Sequence, residues 1–402
     1  MEIYFDNAAT TRVYDEVIDL MAQIMRVDYG NPSSLHMKGV EAERYIREAR
    51  KTLARILKVQ EKEIIFTSGG SESNNMALFG AARAYRRSGK HIISTRIEHA
   101  SVYNPLIELE KEGWEVYFAG VDRYGTVSVS DIADHVREDT TLVSVMCVNN
   151  EIGTIQPIAD IAREVKKKNP HTLIHVDAIQ GFGKMILHPG QLGIDLLSVS
   201  GHKIHGPKGT GFLWIRDGVR VLPLIYGGGH QHGMRSGTEN VPGTAGMAAA
   251  AQIEYTDIQE KLDRLYSLRA YFIDRVLALP GTHVNGGLKR GSLSLADRED
   301  AACCAAPHVV SVSFDDIRAE VLLHALEERQ IYVSSGSACS SNHPGISGTL
   351  KAAGVPGKLL DSTIRFSFSF DTTKEEIDAC MEVLSGLLPM LRRFVPGGRK
   401  RK

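Results

Sequence analysis

The chain has 402 residues, and its 47 Lys and Arg residues nearly balance its 48 Asp and Glu residues, which leaves a formal net charge of −1. This length suggests two domains, and the balanced charge gives no reason to expect nucleic acid or a membrane surface as a partner. We find no apolar run long enough to cross a bilayer and no pattern of a secretory signal at the N-terminus. The five cysteines do not suggest a disulfide framework and favour a reducing, cytoplasmic setting.

Segments typical of strands and helices alternate over the first two-thirds of the chain. The segment 40–57 is rich in Glu, Ala, Arg and Leu, and its periodicity predicts an amphipathic helix. Short apolar segments predicted to be buried strands lie at 63–67, 91–94, 142–148, 173–176 and 196–199. Strands that alternate with helices predict an α/β fold with a mostly parallel sheet that is covered on both faces.

The pattern changes after about Gly246. One long helix is predicted over 248–279, and another is predicted around 377–388. Strands are predicted over 309–314 and 364–370, and the second alternates apolar with polar residues, as a half-buried strand does. This part of the chain predicts a smaller α+β domain.

Polar residues follow five of the predicted strands, at the point where each strand ends. In an open parallel sheet, ligands bind outside the carboxyl ends of the strands. The residues at these positions are Ser68–Ser73, Glu98-His99, Asn149–Glu151, Asp177 with Gln180, and Ser200–Lys203. Their convergence on one edge predicts a binding site and is stronger evidence than any single motif.

Two of these positions suit a cofactor that carries a phosphate and a charged ring nitrogen. The turn at Gly70 and Ser71 leads into a predicted helix, whose first N–H groups bind phosphate, although Ser and Gly are also ordinary capping residues. Asp177 ends an apolar run, and a buried carboxylate needs a cationic partner such as a protonated pyridine nitrogen. A role for Asp177 as a helix N-cap explains its position equally well.

Lys203 is a candidate for covalent chemistry. Its amine is a good nucleophile only when it is deprotonated, which burial or neighbouring positive charge assists. A surface lysine in a basic loop is the alternative, but the nearby Ser200 and His202 favour an anion site.

Cys339 is a candidate nucleophilic thiol. It lies in a run of small residues, 334–342, which predicts an exposed loop. Free cysteines are usually buried, so an accessible one suggests chemistry, since an accessible thiolate can attack. Cys147 falls in a predicted strand and Cys380 on the apolar face of a predicted helix, and we assign both to the core.

These motifs, in this order and spacing, resemble the cysteine desulfurases of the NifS/IscS type, which belong to the fold-type I enzymes of pyridoxal 5'-phosphate (PLP), in the class V aminotransferase branch. The resemblance is carried by residues 4–11, 30–34, 67–74, 98–99, 148–153, 175–178, 200–203, 235–238, 335–339 and 364–367. It implies a large PLP-binding domain over residues 15–250 with a mostly parallel, seven-stranded sheet. It also implies a small α+β domain over residues 1–14 and 251–402, which carries the loop of the catalytic cysteine.

The resemblance implies roles around the cofactor ring. Lys203 forms the covalent link with PLP, and its freed amine then removes the Cα proton of the substrate. His99 stacks on the ring and manages a proton near the thiols. Asp177 pairs with the pyridine nitrogen, and Gln180 bonds the ring hydroxyl.

It also implies ligands for the phosphate and for the substrate. The implied phosphate ligands are Gly70, Ser71, Ser200 and His202. Thr238 reaches the phosphate of the partner subunit, which implies a homodimer. Asn150 contacts the cofactor and, with Arg365, binds the substrate carboxylate, for which the planar fork of an arginine is suited.

The reaction implied by the resemblance converts L-cysteine to L-alanine. Its sulfur passes to Cys339 as a persulfide and then to an acceptor or scaffold protein, for iron–sulfur cluster assembly or other sulfur-containing products. A selenocysteine lyase, a cysteine sulfinate desulfinase and a class V aminotransferase are alternatives, although a transaminase needs no nucleophilic thiol. A non-catalytic scaffold would be expected to lose Lys203, Asp177 or Cys339, and all three are present.

The sequence departs from the family pattern at position 71, over the segment 288–306, and after Cys339, where residues 342–347 follow no family pattern. Position 71 is Ser where many relatives have Thr, and the hydroxyl is kept. The segment 288–306 resembles an insertion, which we expect to be a tolerated surface loop, with a surface for a partner protein as the alternative. It contains Cys303-Cys304, but no second cysteine pair or nearby histidine cluster suggests a metal site.

Overall fold

The computed structural model of this chain describes residues 1–291, 304–335 and 347–394. Its helices are α1 (Asp15–Arg26), α2 (Met37–Leu57), α3 (Gly70–Tyr85), α4 (Ala100–Lys111), α5 (Val129–Asp134), α6 (Ile158–Lys168), α7 (Pro189–Leu192), α8 (Val241–Tyr255), α9 (Ile258–Leu277), α10 (Ala319–Glu327), α11 (Gly348–Ala352) and α12 (Lys374–Leu391). Of the helices in these described ranges, none is long and apolar enough to cross a membrane.

The strands are short and form several sheets. They are β1 (Ile3–Tyr4), β2 (Ile64–Thr67), β3 (His91–Thr95), β4 (Glu115–Ala119), β5 (Thr140–Met146), β6 (Leu173–Asp177), β7 (Leu196–Ser200), β8 (Gly211–Ile215), β9 (Thr282–Asn285), β10 (Lys289–Arg290), β11 (Cys304–Ala305), β12 (Val309–Phe314), β13 (Ile331–Tyr332) and β14 (Thr363–Ser367). The five strands predicted in the first two-thirds of the chain are all present, with ends that differ by a few residues.

The largest sheet has seven strands in the order β2-β8-β7-β6-β5-β3-β4. β8 runs antiparallel to both of its neighbours, β2 and β7, whereas the remaining pairs are parallel. β2, β3, β5, β6 and β7 therefore point the same way and end at one edge. The predicted α/β fold with a mostly parallel, seven-stranded sheet is confirmed.

Helices cover both faces of this sheet. Successive side chains of a strand point to opposite faces, so a strand with apolar residues at every position needs a covering on each side. Ile64 and Phe66 of β2 belong to a buried apolar cluster shared with α1, α2, α6 and α8. Ile65 belongs to a second cluster, shared with α3 and α4. Burial of each large apolar side chain stabilises the fold by about 1.5–3 kcal/mol, so the two clusters fix the sheet as a rigid platform.

A third apolar cluster lies outside the large sheet. It joins α9, α10 and α12 to a three-stranded antiparallel sheet in the order β14-β12-β9, and it includes Ile3 and Phe5 from the N-terminus. β1 pairs with β13 beside it. This separate cluster supports the proposed small domain of residues 1–14 and 251–402, and we keep those boundaries as a proposal.

Two sequence predictions in this region are wrong. The predicted helix 248–279 is two helices, α8 and α9, because the chain turns at Asp257, whose φ of 51° is left-handed. The predicted strand 364–370 ends at Ser367, and every residue of β14 is buried. Its polar side chains contact the N-terminal segment instead of solvent, since Arg365 binds Asp6 and Ser367 binds the Ala8 N–H.

The described ends of the segment 288–306 form strands instead of the predicted loop. β10 and β11 pair in parallel, Lys289 with Cys304 and Arg290 with Ala305. The Ile155 N–H donates to the Cys304 carbonyl at 3.0 Å, which joins β11 to the chain that follows β5. Cys304 is buried, whereas Cys303 lies outside the described residues.

Candidate active site

The edge where the parallel strands end contains a pocket of about 340 Å³. The pocket collects most of the residues that the sequence predicted for the site: Gly70, Ser71, His99, Asn150, Asp177, Gln180, Ser200, His202, Lys203 and Arg365. Thr238 lines a different cavity of about 310 Å³ beside α1, together with Tyr29 and Gly30. Cys339 lies outside the described residues.

Lys203 is held at the end of a tight turn that follows β7. The turn needs glycine at position 201, because a Cβ there would lie 2.3 Å from Thr210 Oγ1. The Lys203 Nζ atom donates to the carbonyls of Ala8 and Ala9 at 2.6 and 2.7 Å. The N-terminal segment thus orients the amine within the pocket.

His202 is a neutral neighbour of that amine. Burial, followed by the charge of Lys203, lowers the pKa of His202 to about 4. Its Nδ1 lies 3.2 Å from Thr10 Oγ1, and its carbonyl accepts from the Thr11 N–H at 3.0 Å. At neutral pH, His202 can therefore offer an anion one N–H group but no positive charge.

The N-terminus of α3 forms one wall of the pocket. Gly70 packs so closely against Ile179 that a Cβ on Gly70 would lie 2.2 Å from the Ile179 Cδ1 atom. The first N–H groups of a helix have no partners within the helix and favour an anion. Ser71, the next residue of the wall, adds a hydroxyl. Ser200 lies close to Gly70, since a Cβ on Gly70 would be 3.5 Å from the Ser200 Cβ atom, and it also lines the pocket.

Asp177 ends β6 and is only 4% exposed. Its Oδ1 accepts from the Ile179 N–H at 3.0 Å, and its Oδ2 accepts from Asn74 Nδ2 at 2.8 Å. Burial raises the pKa of the Asp177 carboxyl, although the bond from Ile179 and the charge of His99 oppose this. A cation in the pocket would therefore favour the ionised carboxylate.

Asn74 and Ser101 connect Asp177 to His99, and sequence reasoning missed both. Asn74 Nδ2 donates to Asp177 Oδ2 and also to Ser101 Oγ, at 2.8 and 2.9 Å. Ser101 Oγ lies 2.8 Å from His99 Nδ1, which also accepts from the Ser101 backbone N–H. A backbone N–H can only donate, so a neutral His99 carries its proton on Nε2.

Arg365 reaches the pocket from β14 and is 3% exposed. Its Nη1 donates to the Asn150 carbonyl at 2.9 Å, and its Nη2 donates to Asp6 Oδ1 at 2.8 Å. These two bonds fix the guanidinium plane while other N–H groups remain for a ligand. Asn150 lies on the loop after β5, where the Asn149 side chain accepts from the N–H groups of Glu151 and Ile152.

Glu98 was identified from the sequence only as part of the Glu98-His99 motif, without a role of its own. Its Oε1 accepts from Thr95 Oγ1 at 2.7 Å and from the Met146 N–H at 3.0 Å, which ties the ends of β3 and β5 together. Its Oε2 is buried and has no hydrogen-bond partner among the described residues. Burial raises the pKa of Glu98 to about 8, so the side chain is largely protonated at neutral pH.

The pocket fits PLP by the chemistry of its own groups. Both hydrogen bonds that the buried Asp177 carboxylate accepts within the described part of the chain come from neutral donors, Asn74 and the Ile179 N–H, so a protonated pyridine nitrogen would supply a favourable positive charge. Lys203 supplies an amine for an aldehyde, and the α3 N-terminus with Ser200 supplies a wall for a phosphate. Arg365 lines the pocket beside Asn150, and its remaining N–H groups could bind a carboxylate there.

We expect the Glu98→Gln variant to unfold at a higher temperature than the original chain near pH 8, with little difference near pH 4. The unfolded chain loses the Glu98 proton near a pKa of about 4.3, whereas the folded chain keeps it until about pH 8. The folded state therefore binds more protons in this window, and its stability falls as the pH rises through it. Thermal unfolding between these pH values measures the difference.

The matched control is Glu43→Gln, which alters an exposed glutamate of α2. It should not change the pH dependence of unfolding. A stability difference between the Glu98→Gln variant and the original chain that stays constant from pH 4 to 8 would contradict a protonated Glu98.

Comparisons with known proteins agree with this geometry. The family model for aminotransferase class-V matches residues 3–380. The chain is 41% identical over 394 residues to a "Cysteine desulfurase IscS" of Methanosarcina thermophila, and the aligned region covers 98% of this chain and 94% of that protein. Among solved structures, a "NifS-like protein" is similar with a TM-score of 0.89 and 39% identity, covering 97% of this chain and all of the other. A structure described as "SspA in complex with cysteine" is similar with a TM-score of 0.78 and 30% identity, covering 92% of this chain and 99% of the other.

Proposed function

The chain belongs to the cysteine desulfurases of the class-V aminotransferase family, which depend on PLP, and we propose that it converts L-cysteine to L-alanine and transfers the sulfur to Cys339. The observation that carries this proposal is the pocket, where Lys203, Asp177 and Arg365 face one space. An amine, a carboxylate and a guanidinium are the groups needed for an aldehyde cofactor and an amino-acid substrate.

We propose that the residues that hold PLP are those named from the sequence. Lys203 would link to it through Nζ, Asp177 would face its ring nitrogen, and His99 would lie against the ring. The phosphate would lie at the wall formed by Gly70, Ser71, Ser200 and His202. When bound, PLP supplies an electron sink that makes a proton on the substrate Cα removable.

The residues of the chain then orient the substrate and move its protons. Arg365 and Asn150 bind the carboxylate of L-cysteine, which places Cα near the Lys203 amine. Lys203 Nζ accepts the Cα proton, and the proton on His99 Nε2 is available to the substrate thiol or to Cβ. The bonds of Lys203 to Ala8 and Ala9 keep Nζ on the pocket side.

The sulfur transfer itself balances without an outside oxidant. The Cys339 thiolate attacks the sulfur of the substrate, an S–S bond forms, and the Cβ–S bond breaks. Protons added at Cβ and Cα complete L-alanine, and Cys339 is left as a persulfide. A second thiol, on an acceptor or scaffold protein, can then remove the outer sulfur.

Residues on both sides of Cys339 support its assignment. Before it in the chain, Ser334 exchanges backbone hydrogen bonds with Arg365, at 2.7 and 3.2 Å. After it, Ser347 Oγ donates to Glu151 Oε2 at 2.5 Å, beside Asn150. The chain therefore enters and leaves the 336–346 segment next to two residues of the pocket.

We also propose a homodimer in the cytoplasm that delivers sulfur for iron–sulfur cluster assembly or other sulfur-containing products. Thr238 would contact the cofactor phosphate bound in the partner subunit, which agrees with its position outside the pocket of its own chain. Large apolar side chains are exposed around α1 and α2, among them Tyr29 and Met37 at 71% each and Leu35 at 100%. Exposed apolar groups of this kind favour an interface between subunits.

The proposed reaction predicts equal amounts of alanine and sulfide from L-cysteine and a thiol reductant. Cys339→Ser should abolish both products, because the sulfur acceptor is lost, while the bound PLP keeps its absorbance. Cys380→Ala, which alters a buried thiol of α12, is the matched control and should retain activity. Formation of alanine and sulfide by the Cys339→Ser variant at the original rate would contradict the role of Cys339.

Arg365→Lys should lower kcat/KM for L-cysteine about 10- to 100-fold, because a single ammonium replaces two donors to the carboxylate and hydrogen bonds to charged groups are strong. PLP absorbance should persist, since Arg365 is not assigned to the cofactor. The control is Arg264→Lys, at an arginine that also binds backbone carbonyls, those of Phe370 and Thr372. Equal losses in the two variants would point to a structural effect and contradict substrate binding by Arg365.

A further inference from the structure

His308 lies behind the pocket, just before β12, and is 3% exposed. Its carbonyl accepts from the Phe368 N–H at 2.9 Å, which fixes its backbone to the chain that follows β14. Its Nε2 lies 3.1 Å from Oε1 of Gln180, a residue that lines the pocket. Among the described residues, His308 therefore reaches the site through the Gln180 side chain.

The orientation of the Gln180 amide follows from its other contact. Gln180 Nε2 donates to the Ala8 carbonyl at 2.9 Å. A carbonyl oxygen can only accept, so the amide nitrogen must face Ala8 and the amide oxygen must face His308. His308 Nε2 must then carry a proton, because only a donor can satisfy that oxygen.

The charges around His308 keep the ring neutral. Burial first, and then the positive charges of Lys184, Arg365, Lys203 and Arg269, hold the pKa of His308 well below its ordinary value. A neutral imidazole has one N–H group. His308 Nδ1 is buried without a hydrogen-bond partner among the described residues. The contact with Gln180 therefore determines that the ring proton lies on Nε2.

We infer that His308 is a positioning residue, which holds Gln180 so that the second N–H of its amide points to the cofactor. An amide nitrogen carries two N–H groups, and the Ala8 carbonyl uses one of them. If the amide turned over, its oxygen would face both the Ala8 carbonyl and the ring oxygen of the cofactor. Two acceptors in contact repel, so the Ala8 carbonyl opposes the turned amide, and the hydrogen bond from His308 Nε2 to the amide oxygen further stabilises the orientation that presents a donor.

This inference rests on the proposed binding of PLP, and its effect can be measured without any turnover. In PLP bound to Lys203, the ring oxygen would carry negative charge, and the nitrogen that joins the cofactor to Lys203 would be the group that loses a proton. A donor to that oxygen favours the form in which the linked nitrogen has lost its proton, because a hydrogen bond to a charged group favours its charge. His308 should therefore lower the pH at which the absorbance of bound PLP changes.

The experiment is a pH titration of the absorbance of the PLP-loaded protein in the absence of L-cysteine. In His308→Leu, the midpoint should move up by about one pH unit or less, the shift that corresponds to one ordinary hydrogen bond. His308→Gln, which keeps an N–H donor of similar reach, should restore the original midpoint. His308→Met repeats the deletion of the donor with a flexible side chain in case the leucine variant does not fold.

A double-variant cycle tests whether His308 acts through Gln180. Adding His308→Leu to Gln180→Ala should produce no further shift beyond that of Gln180→Ala alone. An unchanged midpoint in folded His308→Leu or His308→Met, or shifts that add in the double variant, would overturn the inference. A wild-type chain that binds no PLP would overturn the cofactor assignment itself, which is a separate result seen before any variant is made.

Discussion

The N-terminal segment joins the two parts of the molecule at the pocket, and the geometry of the site depends on that junction. The Ala8 carbonyl accepts from both Lys203 and Gln180, and the Ala8 N–H donates to Ser367. Asp6 holds Arg365 through an ion pair of 2.8 Å. A few backbone groups of this segment therefore fix the amine, the ring contact and the carboxylate-binding arginine relative to one another.

The electrostatics of the pocket follow from which buried groups keep their charge. His202 and His308 are neutral because burial and nearby cations lower their pKa values, and Glu98 is largely protonated because burial raises its pKa to about 8. Burial also raises the pKa of Asp177, which makes a cation at that position favourable. The pocket is thus arranged for a ligand that brings its own positive ring nitrogen and its own negative phosphate.

The sequence predicted the parts of the site that depend on strand ends. Period and composition identified five strands, and the parallel topology brought Gly70, Asp177 and Lys203 to one edge of the sheet as expected. The resemblance placed Arg365 beside them, although it lies in a separate antiparallel sheet. No local pattern encodes that contact, because it depends on how the small sheet packs on the N-terminal segment.

The residues that sequence reasoning missed act through other side chains. Asn74 and Ser101 have ordinary polar side chains on helices, and only their distances connect Asp177 to His99. His308 precedes an apolar strand and carries no motif. The break between α8 and α9 was missed because the composition on both sides is helical, and only the backbone of the extended Thr256 and the left-handed Asp257 separates the two helices. Thr238 stays a prediction, since its proposed contact belongs to a second subunit.

The proposed chemistry depends on a covalent link between PLP and Lys203 in this pocket. The most direct measurement is to add PLP, reduce the protein with borohydride and locate the bound group by peptide mass mapping. A chain that links PLP at this site should carry one phosphopyridoxyl group on Lys203, and that label should be absent in Lys203→Ala. Labelling of Lys208 or another lysine in place of Lys203, or no labelling of a folded chain, would contradict PLP binding through Lys203.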